Sequence, residues 1–124
     1  MKNLLFAFFF AFISSATFAQ DKTATYQLSS HILDVSKGMP ASGVTIKLEK
    51  FNDAKKTWIL VEEKVTDKNG RVPDFLQNNQ SNLGIYKLTY FTSDYFKKMK
   101  MESFYPWVEV VFQITNADHY HVPI

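Results

Sequence analysis

Apolar and polar residues alternate with a period of two over most of this chain. In VTIKLEKF, Val44, Ile46 and Leu48 face one way, while Thr45, Lys47 and Glu49 face the other. In WILVEEKV, Ile59 and Val61 alternate with Trp58, Leu60 and Glu62. Tyr86, Leu88 and Tyr90 share a face in GIYKLTYF, and Val108, Val110, Phe112 and Ile114 oppose Trp107, Glu109, Val111 and Gln113. This period predicts half-buried antiparallel strands. KGMP, FNDAKK, TDKNG and NNQSNLG are turn signals between them. Only SDYFKKMKM breaks the rhythm. Ser93 or Asp94 can cap a short helix there, with Tyr95, Phe96 and Met99 as its apolar face and Lys97, Lys98 and Lys100 as its solvated one. The expected fold is an all-β sandwich with one short helix.

A different pattern occupies the start of the chain. Lys2 is followed by an apolar run from Leu4 to Ile13 and then by small residues. Thr17 and Ala19 suit the −3 and −1 positions of a signal-peptidase site. The run is shorter than the roughly 20 apolar residues that span a bilayer. Residues 1–19 are therefore expected to be a cleaved signal peptide, and residues 20–124 a single domain that is secreted or periplasmic and free of the membrane after cleavage. The chain has no cysteine, so the domain depends on its core, its edges or oligomerisation rather than on disulfides. Removing Lys2 from a formal net charge of +2 leaves about +1, with both signs interspersed. That balance argues against a nucleic-acid groove or a membrane-binding patch. Trp58 and Trp107 read as packing or interface residues.

A few polar residues stand out. In YQLSSHILD, Leu28, Ser30 and Ile32 face inward, which puts His31 on the opposite face with Gln27, Ser29 and Leu33. Taken alone, His31 reads as a surface histidine. Arg71, the single arginine of the chain, follows the turn TDKNG and so opens or precedes a strand. A lone arginine there is usually a solvated end, yet its planar fork of donors suits an anionic or carbonyl-rich ring as lysine does not. Near the end, His119 and His121 project to one face of a strand, with Tyr120 and Val122 on the other. H-x-H at strand spacing can be two metal ligands, or a general base beside a group that orients it.

The segments LSSHILDVSKGMPASGVTIKLEK, TDKNGRV, GIYKLTYFTSDYFKKMKMESFYPWVEVVFQI and HYHVPI together resemble the transthyretin-like proteins that act as 5-hydroxyisourate hydrolase. The resemblance runs in order from about Tyr26 to the end. It implies a transthyretin-like (prealbumin-like) sandwich of antiparallel sheets and a homotetramer with active sites at the dimer–dimer interface. The implied reaction is hydrolysis of the small molecule 5-hydroxyisourate, in urate degradation, with no metal or organic cofactor. By position it implies catalytic and substrate-binding roles for His31 and His121, substrate binding by Arg71, and a supporting place for His119. A neutral imidazole, with an ordinary pKa of about 6.5, can serve as base at neutral pH, and Arg71 can stabilise negative charge on carbonyl oxygens.

The family's pattern continues past HYHVP to a Tyr-Arg-Gly-Ser end that helps form the active site, whereas these residues stop at Ile124. Relative to that pattern the domain is C-terminally incomplete. The 124-residue form is accordingly expected to be poorly active and prone to self-association, because an unpaired sheet edge invites pairing. Two further function classes compete. One is a non-enzymatic small-ligand-binding module of transthyretin type, to which a polar set such as His31, Arg71 and His121 is ill suited. The other is a metal-dependent hydrolase with His31, His119 and His121 on Zn²⁺, for which no supporting carboxylate pattern is visible.

Overall fold

The computed structural model describes residues 25–124, so the expected signal peptide at 1–19 lies outside the described residues. Among the described residues, nine strands and one helix follow in order: β1 (Tyr26–His31), β2 (Leu33–Asp34), β3 (Met39–Pro40), β4 (Thr45–Asn52), β5 (Thr57–Val65), β6 (Arg71–Gln77), β7 (Gly84–Tyr90), α1 (Thr92–Lys98), β8 (Val108–Ile114) and β9 (Tyr120–Pro123). They form a three-stranded sheet, β6-β1-β9, a four-stranded sheet, β5-β4-β7-β8, and the small pair β2-β3. Pairing is antiparallel except between β1 and β9, which run parallel.

The two larger sheets enclose one core. Leu28, Val72 and Phe75 come from the three-stranded sheet, and Ile46, Leu48, Tyr86, Leu88, Tyr90 and Ile114 from the four-stranded one. These are the inward positions that the period-two pattern picks out in β4, β7 and β8. Burying one such side chain contributes on the order of 1.5–3 kcal/mol. Ser30 also points inward and is satisfied there. Its Oγ donates to the Val122 carbonyl at 2.8 Å and lies 2.9 Å from the Tyr90 hydroxyl, which ties β1 to β9 and to the facing sheet. Burial pushes the Tyr90 hydroxyl pKa up to about 12.

Three local features differ from the sequence reading. In β5, neither face is apolar towards the core, and Ile59, Leu60 and Val61 are all exposed. The pairing register is the reason: Ile46 faces Lys64 and Leu48 faces Glu62, so polar side chains take the inward positions at this edge, and the register shifts only beyond them, between Leu48 and Glu49. They reach across to β6, where Lys64 Nζ pairs with Asp74 Oδ2 at 2.8 Å. The second difference is Gln27, which is buried although it has the parity of His31. Its side chain donates to the Asn116 carbonyl at 2.7 Å and accepts from Asn82 Nδ2 at 2.9 Å, so two loops fold over this end of β1. Third, α1 starts at Thr92 with no side-chain cap. The Phe91 amide still donates to the Thr45 carbonyl, carrying the β7–β4 ladder up to the helix, so Ser93 and Asp94 fall inside its first turn.

Candidate functional site

Neighbouring strands bring the polar residues to one face. Leu28 and Ser30 point into the sandwich, so Ser29 and His31 point away from it. β6 sets Arg71 directly opposite His31, and β9 sets His121 opposite Ser29 and Pro123 opposite His31. Residues opposite one another in a ladder share a face, with Cβ atoms about 4.5–5.5 Å apart. Arg71, His119 and His121 are exposed, and His31 and Ser29 are half-buried. His31, Arg71, His119 and His121, spread over 90 positions of sequence, thus lie on and beside the outer surface of one three-stranded sheet.

Local chemistry places each of them. Arg71 is delivered by the turn before it. Asp67 Oδ1 accepts from the amides of Asn69, at 2.8 Å, and Arg71, at 2.9 Å, and the Gly70 amide donates to the Asp67 carbonyl. The bond from the Arg71 amide is the main reason that the Asp67 carboxyl pKa is lowered. Gly70 has φ +70°, and its carbonyl accepts from the Ile32 amide at 2.9 Å, which docks the turn against the end of β1. A β-carbon there would meet the Ile32 carbonyl oxygen at 2.6 Å. Beyond Arg71, Ser29 of β1 faces two residues of β6, Pro73 and Asp74, in a bulge between the pairs Leu28–Phe75 and Ser30–Val72. The bulge lets Val72 and Phe75 both reach the core. Pro73 is tolerated because β6 is an edge strand.

The histidine pair is held by the turn TNADHY. Asn116 Oδ1 accepts from the Asp118 amide at 3.0 Å and the Tyr120 hydroxyl at 3.1 Å, while Tyr120 and Val122 pack against the core. His119 and His121 therefore project outward. His119 Nδ1 lies 3.0 Å from the Tyr26 carbonyl, and His119 Nε2 lies 2.9 Å from Ser29 Oγ. Ser29 Oγ in turn lies 2.8 Å from His121 Nδ1. Ser29 was no candidate in the sequence reading, although its parity with His31 places it on the same face.

Two electrostatic features mark the face. The His121 pKa is lowered, first by partial loss of water around a ring that is still exposed, then by the positive charge of Arg71 and of protonated His31 and His119. His31 Nε2 is buried, and it has no hydrogen-bond partner among the described residues. Among the described residues, no three His, Cys, Asp or Glu side chains converge as a metal site. An apolar cleft of about 240 Å³ lies beside α1, lined by residues including Ile32, Tyr95, Phe96 and Ile124. It contains none of the histidines and not Arg71, so the histidine–arginine face and the cleft are separate features of the surface.

Fold and site together define a two-sheet β-sandwich with a histidine–arginine face, in which paired strands carry His31, Arg71 and His121 and a turn carries His119. The chain belongs to the HIUase/Transthyretin family, whose model matches residues 28–124. It is 40% identical over 127 residues to a Caenorhabditis elegans protein named "Probable 5-hydroxyisourate hydrolase", covering 96% of this chain and 88% of the relative. Among solved structures it is similar to a Klebsiella pneumoniae 5-hydroxyisourate hydrolase, at 34% identity and a TM-score of 0.67, covering 79% of this chain and 86% of that one. It is also similar to sea bream transthyretin in complex with thyroxine, at 28% identity and a TM-score of 0.73, covering 78% of this chain and 83% of that one. The backbone is shared by both branches, and a backbone does not choose between their functions.

Proposed function

We propose that this protein hydrolyses 5-hydroxyisourate, opening its ring in the degradation of urate. The observation that carries this reading is the grouping of His31, Arg71 and His121 on one face: a donor fork and two imidazoles around a surface able to take a planar, carbonyl-rich ring. The greater identity to hydrolases than to the transthyretin supports it. So does the lowered His121 pKa, which keeps that imidazole neutral, and hence basic, at neutral pH.

The chemistry follows from these groups. Arg71 and the half-buried His31 imidazole hold the ring by its oxygens and nitrogens. His121 takes a proton from water as the water oxygen attacks a ring carbonyl carbon. Negative charge then develops on the carbonyl oxygen, where the Arg71 guanidinium stabilises it. Collapse breaks the ring C–N bond, the imidazolium returns its proton to the departing nitrogen, and a carboxyl group is left on the attacked carbon. This assignment calls on no metal and no organic cofactor. The face is open in a single chain, and the homotetramer implied by the resemblance would cover it. Residues 1–19 complete the proposal as a cleaved export signal, which N-terminal sequencing of exported material beginning at Gln20 would support and one beginning at Met1 would refute.

The test is the decay of 5-hydroxyisourate freshly generated by urate oxidase. His31→Ala and His121→Ala should each lower kcat on the order of 10²–10⁴-fold, the range for losing a general acid or base. Chelators should leave the rate unchanged. Activity lost on chelation and restored by zinc would replace this mechanism with a metal-dependent one. Tight binding of an apolar aromatic ligand without turnover would favour a carrier.

A further inference from the structure

We infer that Ser29 and His119 are positioning residues that leave His121 with its proton on Nδ1 and its lone pair on Nε2. The argument is a count of hydrogens along a chain of three contacts: the Tyr26 carbonyl to His119 Nδ1 at 3.0 Å, His119 Nε2 to Ser29 Oγ at 2.9 Å, and Ser29 Oγ to His121 Nδ1 at 2.8 Å. A carbonyl oxygen only accepts, so the hydrogen in the first contact belongs to His119 Nδ1. A neutral imidazole carries one N–H, so His119 Nε2 is bare and must accept in the second contact. Ser29 has a single hydroxyl hydrogen, and that contact uses it. In the third contact Ser29 Oγ can then only accept, which places a hydrogen on His121 Nδ1. The remaining nitrogen of His121, Nε2, holds the free lone pair.

The direction of the chain is set at its far end by the backbone of β1, before any substrate is present. The strand register makes it possible: Ser29 is paired with His121, and the turn before β9 brings His119 back over the start of β1. A histidine's tautomer is decided by the hydrogen bond its other nitrogen makes. Ser29 is thus to His121 what an orienting carboxylate is to the imidazole of a hydrolytic triad, but without a negative charge. The absence of that charge suits a base whose pKa is lowered rather than raised. This also explains the H-x-H spacing. His121 supplies the base, and His119, two residues away on the same side, supplies the acceptor that keeps the Ser29 hydroxyl turned away from it.

The geometry stands by itself, while its catalytic meaning rests on the hydrolase reading, so the experiment has two arms. In the first, the full chain is labelled with ¹⁵N-histidine, and long-range ¹H–¹⁵N correlation spectra are recorded at a pH where the rings are neutral. His119 and His121 should both be protonated at Nδ1. Ser29→Ala should leave His119 in that form and remove the Nδ1 preference of His121, and Ser29→Thr should restore it. In the second arm, Ser29→Ala should lower kcat about 10–100-fold, the range for losing a partner that orients a functional histidine. KM should change less than about twofold, and Ser29→Thr should recover most of the rate. His119→Phe should cost a similar factor, with the double variant no worse than either single one, because both break the same chain. A wild-type His121 protonated at Nε2, or an Nδ1 preference that survives Ser29→Ala, would overturn the inference whatever the activity. The expected tautomers without 5-hydroxyisourate turnover, in the chain extended by the family's Tyr-Arg-Gly-Ser end, would sink the hydrolase reading and leave the hydrogen-bond chain standing.

Discussion

Gly70→Ala should damage stability and activity together, because one backbone contact serves both. Gly70 has φ +70°, a conformation that costs an L side chain about 1–2 kcal/mol. Its new β-carbon would also sit 2.6 Å from the Ile32 carbonyl oxygen, 3.0 Å from the Ala41 nitrogen and 3.1 Å from Pro40 Cβ. Two of these are backbone atoms, so the turn must move away from β1 and β3, at a further cost of about 1–3 kcal/mol. The sum is about 2–5 kcal/mol, or a fall in Tm of at least about 10 °C for a domain of this size. Gly38→Ala is the control: its φ is +64°, but nothing lies within 4 Å of the added carbon. It should lose only the conformational part. The movement matters for chemistry because Gly70 precedes Arg71 and its carbonyl binds the Ile32 amide, next to His31. Misplacing a substrate-holding group by about 1 Å can cost up to about 10²-fold. Thermal unfolding should therefore separate the two variants by several degrees. Assayed well below both midpoints, Gly70→Ala should lose at least about tenfold in kcat/KM while Gly38→Ala stays within about twofold. Equal midpoints would refute the steric argument. A folded Gly70→Ala with wild-type kinetics would show that the turn does not position Arg71.

Two further outcomes follow from the site. Arg71→Lys keeps the charge and discards the planar fork, so kcat/KM should fall at least about tenfold while stability changes by no more than about 0.5 kcal/mol, the usual range at the surface; unchanged kinetics would remove Arg71 from the site. The acid limb of the kcat/KM profile should lie below the ordinary imidazole value of about 6.5, because His121 must be neutral to act and partial burial, Arg71, His31 and His119 all disfavour its charged form. Arg71→Gln removes one of those charges and should move the limb up, and a limb that stays in place would show that Arg71 does not act on His121. The same shift has a stability consequence with a definite sign: the unfolded imidazole binds its proton more readily than the folded one, so His121 contributes a loss of stability as pH falls through about 6.5 towards the depressed folded value.

Much of the sandwich was legible in the sequence because side-chain alternation is a local property of an extended backbone. The inward faces of β4, β7 and β8, the outward face of β9 and the position of Arg71 at the start of β6 all follow from counting by twos and from the turn residues between the runs. Resemblance added roles for His31, Arg71 and His121, but counting could not show that they meet. That depends on which strands pair and in what register, and pairing is decided by the burial and hydrogen bonding of the whole chain. β1 had to pair antiparallel with β6 and parallel with β9 before His31 lay opposite Arg71 and Ser29 opposite His121. The β4–β5 register, which put Glu62 and Lys64 on the inward side opposite Leu48 and Ile46, has the same origin: alternation within β5 is local, and only the partner strand could set its phase. Ser29 shows the division most plainly. Its sequence position determined the face it is on, whereas its hydrogen bonds to His119 and His121, 90 and 92 residues away, exist only because the tertiary fold brings β9 alongside β1.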